Sequence, residues 1–125
     1  MNTRTFSKAQ RREIRRLASL AYERELSSAA GQLQSDFDRW RQGEIDVFAL
    51  NECIHKFHDG ISRDLYKRYA MGDQDFSVAS AIARDVLKQS EVDHAIEEGL
   101  RSVIELARET SLENQEANDD SSGKS

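Results

Sequence analysis

Proline is absent from this sequence of 125 residues, and cysteine occurs once, at Cys53. Because proline makes up about 5% of an average chain and destabilises a helix interior by about 3 kcal/mol, its absence favours long helices. A single cysteine excludes an internal disulfide framework and a cysteine-rich zinc site. No apolar run approaches the roughly 20 residues of a membrane span, and the first residues lack the apolar core of a signal peptide. We therefore expect a cytoplasmic helical protein.

Turn and capping signals predict two long helices at the start of the chain. Helix one begins at Ser7, which forms a capping-box pattern with Gln10. It ends at Gly43, because glycine tolerates the left-handed conformation that closes a helix. Helix two begins with Asp46 as its N-cap and continues to about Tyr69. The turn between them is short, so the two helices should form an antiparallel hairpin.

Each long helix carries one apolar stripe at helical spacing. The stripe of helix one consists of Ala18, Tyr22, Leu26, Ala29, Leu33, Phe37 and Trp40. The stripe of helix two consists of Val47, Leu50, Ile54, Phe57, Ile61, Leu65 and Tyr69. These stripes should pack against each other, with the aromatic side chains of Trp40, Phe57, Tyr66 and Tyr69 in the core. Gly60 predicts either a kink in helix two or the close approach of another backbone.

Two shorter helices and a polar tail complete the prediction. Helix three spans residues 75–88, and helix four begins with Ser90 as its N-cap and ends near residue 111. From residue 112 onward the chain has almost nothing to bury, which is typical of disorder. The expected fold is all-α: a long antiparallel hairpin with two shorter helices packed on it. Residues 1–111 form one domain, and residues 112–125 form a disordered acidic tail.

Charge is unevenly distributed along the chain. Residues 1–45 contain nine basic and six acidic residues, whereas residues 46–125 contain nine basic and 17 acidic residues. The basic excess is concentrated on one face at the start of helix one, in Lys8, Arg11, Arg12, Arg15 and Arg16. Such a stripe is either a site for an acidic partner or phosphates, or a solvated helix face. The arginines lack interleaved aromatic residues for base stacking, and the whole chain has a net charge of −5, so nucleic-acid binding is an alternative that we do not favour.

A second polar cluster lies on helix two and includes Glu52, His55, His58 and Asp59. Glu52 and His55 form one Glu-x-x-His unit, which di-iron helical bundles use in pairs together with two further glutamates. Here the sequence has one such unit, and it points away from the predicted core. The simpler interpretation is a set of i, i+4 pairs on a solvated face. Metal binding therefore remains an alternative, and we expect no cofactor.

The sequence predicts a non-enzymatic module for protein–protein interaction. It has no phosphate-binding glycine loop or nucleophile motif, and Cys53 beside the apolar stripe is typical of a small hydrophobic residue. Phe48 and Tyr66 lie on a second face of helix two, which helices three and four either cover or leave for a partner. We expect a homodimer or a complex with another protein, as in an adaptor, regulatory subunit or antitoxin-like inhibitor. We expect neither a membrane partner nor a small-molecule substrate.

Overall fold

The computed structural model describes the backbone of residues 6–122 and the side chains of residues 6–117. The described residues form helices and turns and contain no strand, so the predicted all-α class is confirmed. The chain divides into two compact units. We call Tyr22–Gly72 the hairpin unit, and the residues up to Ala21 together with those from Asp73 onward the core unit.

The first helix, α1, spans Lys8–Arg41 and contributes to both units. The predicted capping box is present at its start, where the Ser7 amide donates to Gln10 Oε1 at 2.9 Å and the Gln10 amide donates to Ser7 Oγ at 3.1 Å. Gly43 follows the last turn with a φ of 79°, in the left-handed region that glycine adopts without steric cost. Both predicted ends of the first helix are therefore confirmed.

The predicted helix two is helical throughout, but it is not one regular α-helix. It consists in order of α2 (Val47–Phe57), a π-helical turn (His58–Ser62), α3 (Arg63–Tyr66) and a second π-helical turn (Lys67–Met71). Asp46 caps α2 as predicted, because its side chain accepts from the Ala49 amide at 2.8 Å. Gly60 lies in the first π-helical turn, and no other described part of the chain comes within 4 Å of the position of a Cβ atom there. Of the two predictions for Gly60, the close approach of another backbone is wrong. The predicted kink falls on a π-helical turn, which divides the α-helical segments.

The hairpin unit has two arms, residues 22–41 of α1 and residues 47–72. The Tyr22 ring stacks on the Tyr69 ring with 5.3 Å between centroids and 14° between planes. The Tyr69 hydroxyl donates to Glu25 Oε2 at 2.5 Å, and Arg68 lies 3.4 Å from the same oxygen. These contacts join the start of the first arm to the end of the second, which is the antiparallel order that the two stripes predict.

Three further helices belong to the core unit. They are α4 (Gln74–Ala83), α5 (His94–Gly99) and α6 (Arg101–Ser122), and a short 3-10 turn occupies Gln89–Glu91. Helix α4 packs along α6, and α5 also contacts α6. Fourteen of the seventeen buried hydrophobic residues of the described chain lie in this unit, so the main hydrophobic core is here.

The end of the predicted helix three is wrong by five residues. The sequence predicts helix up to Lys88, whereas α4 ends at Ala83. Asp85 adopts a φ of 61°, a conformation that aspartate tolerates better than most residues. The amide of Leu87 then donates back to the carbonyl oxygen of Ala81 at 3.2 Å. The chain turns here because this reversal buries the Leu87 side chain completely.

The predicted helix four differs from the structure at both ends. Ser90 is not its N-cap and lies in the 3-10 turn, whereas Asp93 caps α5 by accepting from the Ala95 amide at 3.2 Å. At the other end, α6 continues to Ser122 where the sequence predicts a disordered tail from residue 112. Leu112, Glu113, Gln115, Glu116 and Ala117 are good helix formers, whereas the Asn, Asp and Ser residues that follow them are weaker ones. Residues 123–125 of the predicted tail lie outside the described residues.

Candidate functional site

Exposed apolar side chains are concentrated in the hairpin unit. This unit contains three of the seventeen buried hydrophobic residues, Leu50, Leu65 and Tyr69, but eight of the eleven large hydrophobic residues that are exposed in the described chain. The eight exposed residues are Phe37, Trp40, Val47, Phe48, Ile54, Ile61, Tyr66 and Met71. The hairpin unit therefore leaves most of its large apolar side chains partly exposed.

An open groove of about 460 Å³ lies between the two arms of the hairpin unit. Its lining is formed by Ala29, Gln32, Leu33 and Asp36 on the first arm and by Cys53, Lys56, Phe57 and Ile61 on the second. Most of these side chains are apolar, and two belong to the predicted stripe of each arm. The two charged lining residues have opposite signs and lie on opposite arms, Asp36 on α1 and Lys56 on α2. Cys53 is half-buried in this lining, as its place beside the apolar stripe predicts.

Several residues of the predicted stripes are only half covered. Phe37 is 38% exposed, Trp40 40%, Ile54 37% and Ile61 43%. The sequence predicts Trp40 and Tyr66 as core residues, and this prediction is wrong for both, since Tyr66 is 53% exposed. Two helices cover only one side of each stripe, whereas a side chain in a four-helix bundle meets neighbours on two sides. The stripes are therefore correctly located but incompletely buried.

Phe48 and Tyr66, the predicted second face of helix two, are both exposed, Phe48 at 79%. Neither lines the groove. Tyr66 instead lines a separate depression of about 420 Å³ together with Tyr22, His58, Asp59, Ser62 and Arg63. The groove is the more apolar of these two surfaces. A third depression of the hairpin unit is lined by Phe37, Asp38, Trp40 and Arg41.

The basic stripe at the start of α1 is partly used inside the core unit. Arg11 Nη1 donates to Asp75 Oδ1 at 2.9 Å, and Asp75 is only 5% exposed. The Arg11 guanidinium also lies over the Phe6 ring, 5.1 Å from its centroid. A Cβ atom at Gly99 would lie 2.7 Å from that ring, so the absence of a side chain at Gly99 leaves room for it. Arg11 is therefore a structural residue of the core unit.

Arg16, another member of the stripe, contacts an acid on its own helix. It donates a hydrogen bond to Glu13, which lies one helical turn before it. This hydrogen bond raises the pKa of the Arg16 guanidinium above its ordinary value. Lys8, Arg12 and Arg15 are exposed on the described surface. Two of the five predicted cations therefore have acidic neighbours within the chain, which reduces the basic surface that faces solvent.

The structure does not gather the predicted metal ligands into a site. Glu52, His55, His58 and Asp59 are all exposed, and His58 and Asp59 border the depression that contains Tyr66. Among the side chains that the structure describes, no group of three or more His, Cys, Asp or Glu residues is placed to hold a metal ion. The exposure of Glu52 and His55 agrees with their predicted direction, away from the core.

Comparison with known proteins found no relative: no protein-family model, curated protein or solved structure matched this chain. Within residues 6–122, no helix combines the length and apolar character that crossing a bilayer requires. The class of the protein rests on its own structure: the described residues are all-α, and an open, largely apolar groove lies between the two arms of the hairpin unit.

Proposed function

We propose that this chain is a non-enzymatic interaction module that binds a protein through the groove of its hairpin unit. The observation that carries the proposal is the contrast in burial between the two units. Among the described side chains, the core unit contains fourteen of the seventeen buried hydrophobic residues, whereas the hairpin unit contains eight of the eleven exposed large ones. Contiguous exposed apolar surface rimmed by charge is typical of a protein–protein interface.

The exposed side chains are large enough to contribute substantially to binding. Phe37, Trp40, Ile54 and Ile61 are each about two-fifths exposed, which leaves roughly 80 Å² of accessible area on each side chain. Covering that area is worth about 2 kcal/mol per side chain at roughly 25 cal/mol per Å². Of the four, Ile61 lines the groove itself, so a partner must also cover the other three to gain the full sum of about 8 kcal/mol. That sum is comparable with the roughly 4–15 kcal/mol that association costs in lost freedom of motion.

The chemistry of the groove favours a helical or apolar partner over a small polar ligand. Leu33, Phe57 and Ile61 form its apolar lining, and its charged residues are one acid and one base. Amphipathic helices bind in grooves of this kind through apolar residues at helical spacing. This recognition mode suits an adaptor, a regulatory subunit or an inhibitor, and the proposal keeps the cytoplasmic location that the sequence predicts.

The groove can be tested with a photoreactive residue placed inside it. We expect p-benzoylphenylalanine at Ile61 to form a discrete protein adduct on irradiation of cells that produce the chain. The same residue at Ser102, an exposed position on α6, is the matched control and should give little adduct. Adding Ile54→Glu to the Ile61 probe should reduce the yield, because Ile54 belongs to the same apolar stripe and the new carboxylate makes that stripe less apolar.

Two results would contradict the proposal. The first is an adduct yield at Ile61 that does not exceed the yield at Ser102. The second is an adduct formed by a probe at Phe48 but absent with the probe at Ile61, since this would place the contact on the other exposed face of α2. Circular dichroism of each purified variant verifies that the helices are retained.

A further inference from the structure

We infer that the protein bound by the groove is a second copy of this chain. The inference rests on the proposed function and specifies its partner. Two hairpin units would pair face to face around a two-fold axis parallel to the arms, so that α1 of one copy lies against α2 of the other. The product is a four-helix bundle in which each apolar stripe has neighbours on two sides.

The charges of the groove suit this pairing. Asp36 lies on the first arm and Lys56 on the second, and both line the groove. A two-fold axis along the arms places the first arm of one copy opposite the second arm of the other. Asp36 of each copy then faces Lys56 of the other copy, so two complementary pairs form from a single arrangement.

The net charge of the hairpin unit is also compatible with self-association. Residues 22–72 contain seven basic and nine acidic residues, so two copies approach with a small net charge on each. Whole-chain repulsion, from a net charge of −5, is screened beyond about 8–10 Å at physiological ionic strength. Electrostatics therefore opposes the approach of two grooves only weakly and favours the register that pairs Asp36 with Lys56.

The exposed apolar area fits an interface of standard size. Ile61 lines the groove, and Phe37, Trp40 and Ile54 belong to the same two apolar stripes. Together the four expose roughly 300 Å² per copy, more than a third of the about 800 Å² that each partner contributes to a stable complex. The half-buried lining residues Leu33 and Phe57 and the charged rims supply further area. An isologous interface uses each patch twice, so one patch per chain suffices to close the bundle.

Sedimentation velocity of the full chain tests the inference. Interfaces of this size give affinities from micromolar to picomolar, so the wild-type chain should sediment as a dimer over about 1–100 µM. Ile61→Glu should raise the dimer dissociation constant at least about 100-fold, because each dimer would bury two carboxylates. Phe48→Glu introduces the same charge on the same arm outside the groove and should leave the dimer intact.

A charge exchange identifies the register and does not depend on a core substitution. Asp36→Lys and Lys56→Asp should each weaken the homodimer about tenfold, since every Asp–Lys pair becomes a pair of like charges. A mixture of the two variants should recover an affinity within about threefold of wild type, because both pairs are again opposite in sign. If Ile61→Glu loses its helical circular dichroism signal, the charge exchange decides whether the groove pairs with a second copy. A mixture that associates no more tightly than either variant alone overturns the inference.

The outcomes separate this inference from the proposed function. In one outcome, the wild-type chain remains monomeric at every protein concentration tested, but the probe at Ile61 still forms an adduct with a different protein. This outcome overturns self-pairing and supports the proposed interaction module. A monomer together with no groove-dependent adduct overturns both. A dimer that survives Ile61→Glu but dissociates in Phe48→Glu also overturns the inference, because the contact would then lie outside the groove.

Discussion

Replacing Arg11 with methionine should destabilise the core unit by about 2 kcal/mol. The substitution removes the donor to Asp75 Oδ1, a hydrogen bond of 2.9 Å, and keeps an apolar stem of similar length. The Asp75 carboxylate remains 5% exposed and loses a cationic partner. It also loses the compensation that Arg11 provides for its removal from water.

The expected magnitude follows from the burial of the two partners. A hydrogen bond to a charged group contributes about 1.5–3 kcal/mol, and removal of one member of a fully buried ion pair costs about 3–5 kcal/mol. The Arg11 side chain is 46% exposed, so water screens the pair and the lower range applies. Loss of the contact with the Phe6 ring adds about 0.5 kcal/mol at an exposed site.

Urea and thermal unfolding followed by circular dichroism measure this loss. At roughly 4 °C per kcal/mol for a chain of this size, we expect the melting temperature to fall by about 8 °C. Arg15→Met is the matched control, since Arg15 is an exposed arginine on the same face one turn later, and it should change stability by less than about 0.5 kcal/mol. Equal losses of unfolding free energy in the two variants would refute the structural role of Arg11. Arg11 would then be a candidate for partner binding only, as the basic stripe predicts.

Two further predictions concern the hairpin unit. Gly43→Ala should lower stability by about 1–2 kcal/mol, because alanine is strained at a φ of 79°. Gly31→Ala should raise stability by about 0.5–1 kcal/mol, because Gly31 lies in an open part of α1. Chemical denaturation of both variants checks that the two changes have opposite signs. Tyr69→Phe should cost about 1–2 kcal/mol by the same measurement, since it removes the hydroxyl donor to Glu25 and preserves the stacking on Tyr22. An unchanged midpoint in Tyr69→Phe would show that this hydrogen bond does not hold the arms together.

The helix ends that the sequence predicts correctly depend on interactions within a few residues. Ser7 and Gln10 bond each other over three positions, and Asp46 bonds the Ala49 amide over the same separation. Gly43 closes α1 through its own backbone conformation. Such signals are contained in a short window of sequence, so no knowledge of the tertiary fold is needed to interpret them.

The features that the sequence does not reveal depend on contacts between distant residues. The partner of Arg11 is Asp75, 64 positions away, and a basic stripe in isolation gives no indication that a carboxylate will be buried against it. Leu87 ends α4 early because it is buried in the core unit, although its local sequence favours continued helix. In both cases tertiary packing overrides a local pattern that is correctly recognised.

The groove depends on both kinds of information, the local sequence pattern and the tertiary contacts. The stripes that contain Leu33 and Phe57 are visible as periodic apolar residues, but their degree of burial depends on how many helices surround them. Sequence periodicity gives the direction of an apolar face and not the identity of the chain that covers it. Placing Asp36 opposite Lys56 requires the register of the two arms as well, which the turn at Gly43 sets only approximately. Only the folded hairpin therefore reveals that Asp36 and Lys56 line the same groove.

The unequal burial of the two units implies that stability and association are separable in this chain. Fourteen of the seventeen hydrophobic residues that are buried in residues 6–117 lie in the core unit, so substitutions there should act mainly on the free energy of unfolding. Ile54 and Ile61 are each about two-fifths exposed, so a polar substitution at either position leaves much of the new group in solvent and should act mainly on binding, through the area that a partner would cover. If a groove substitution instead reduced stability as much as Arg11→Met, at protein concentrations too low for association, the groove would be part of the folded core and its exposure would have no functional meaning.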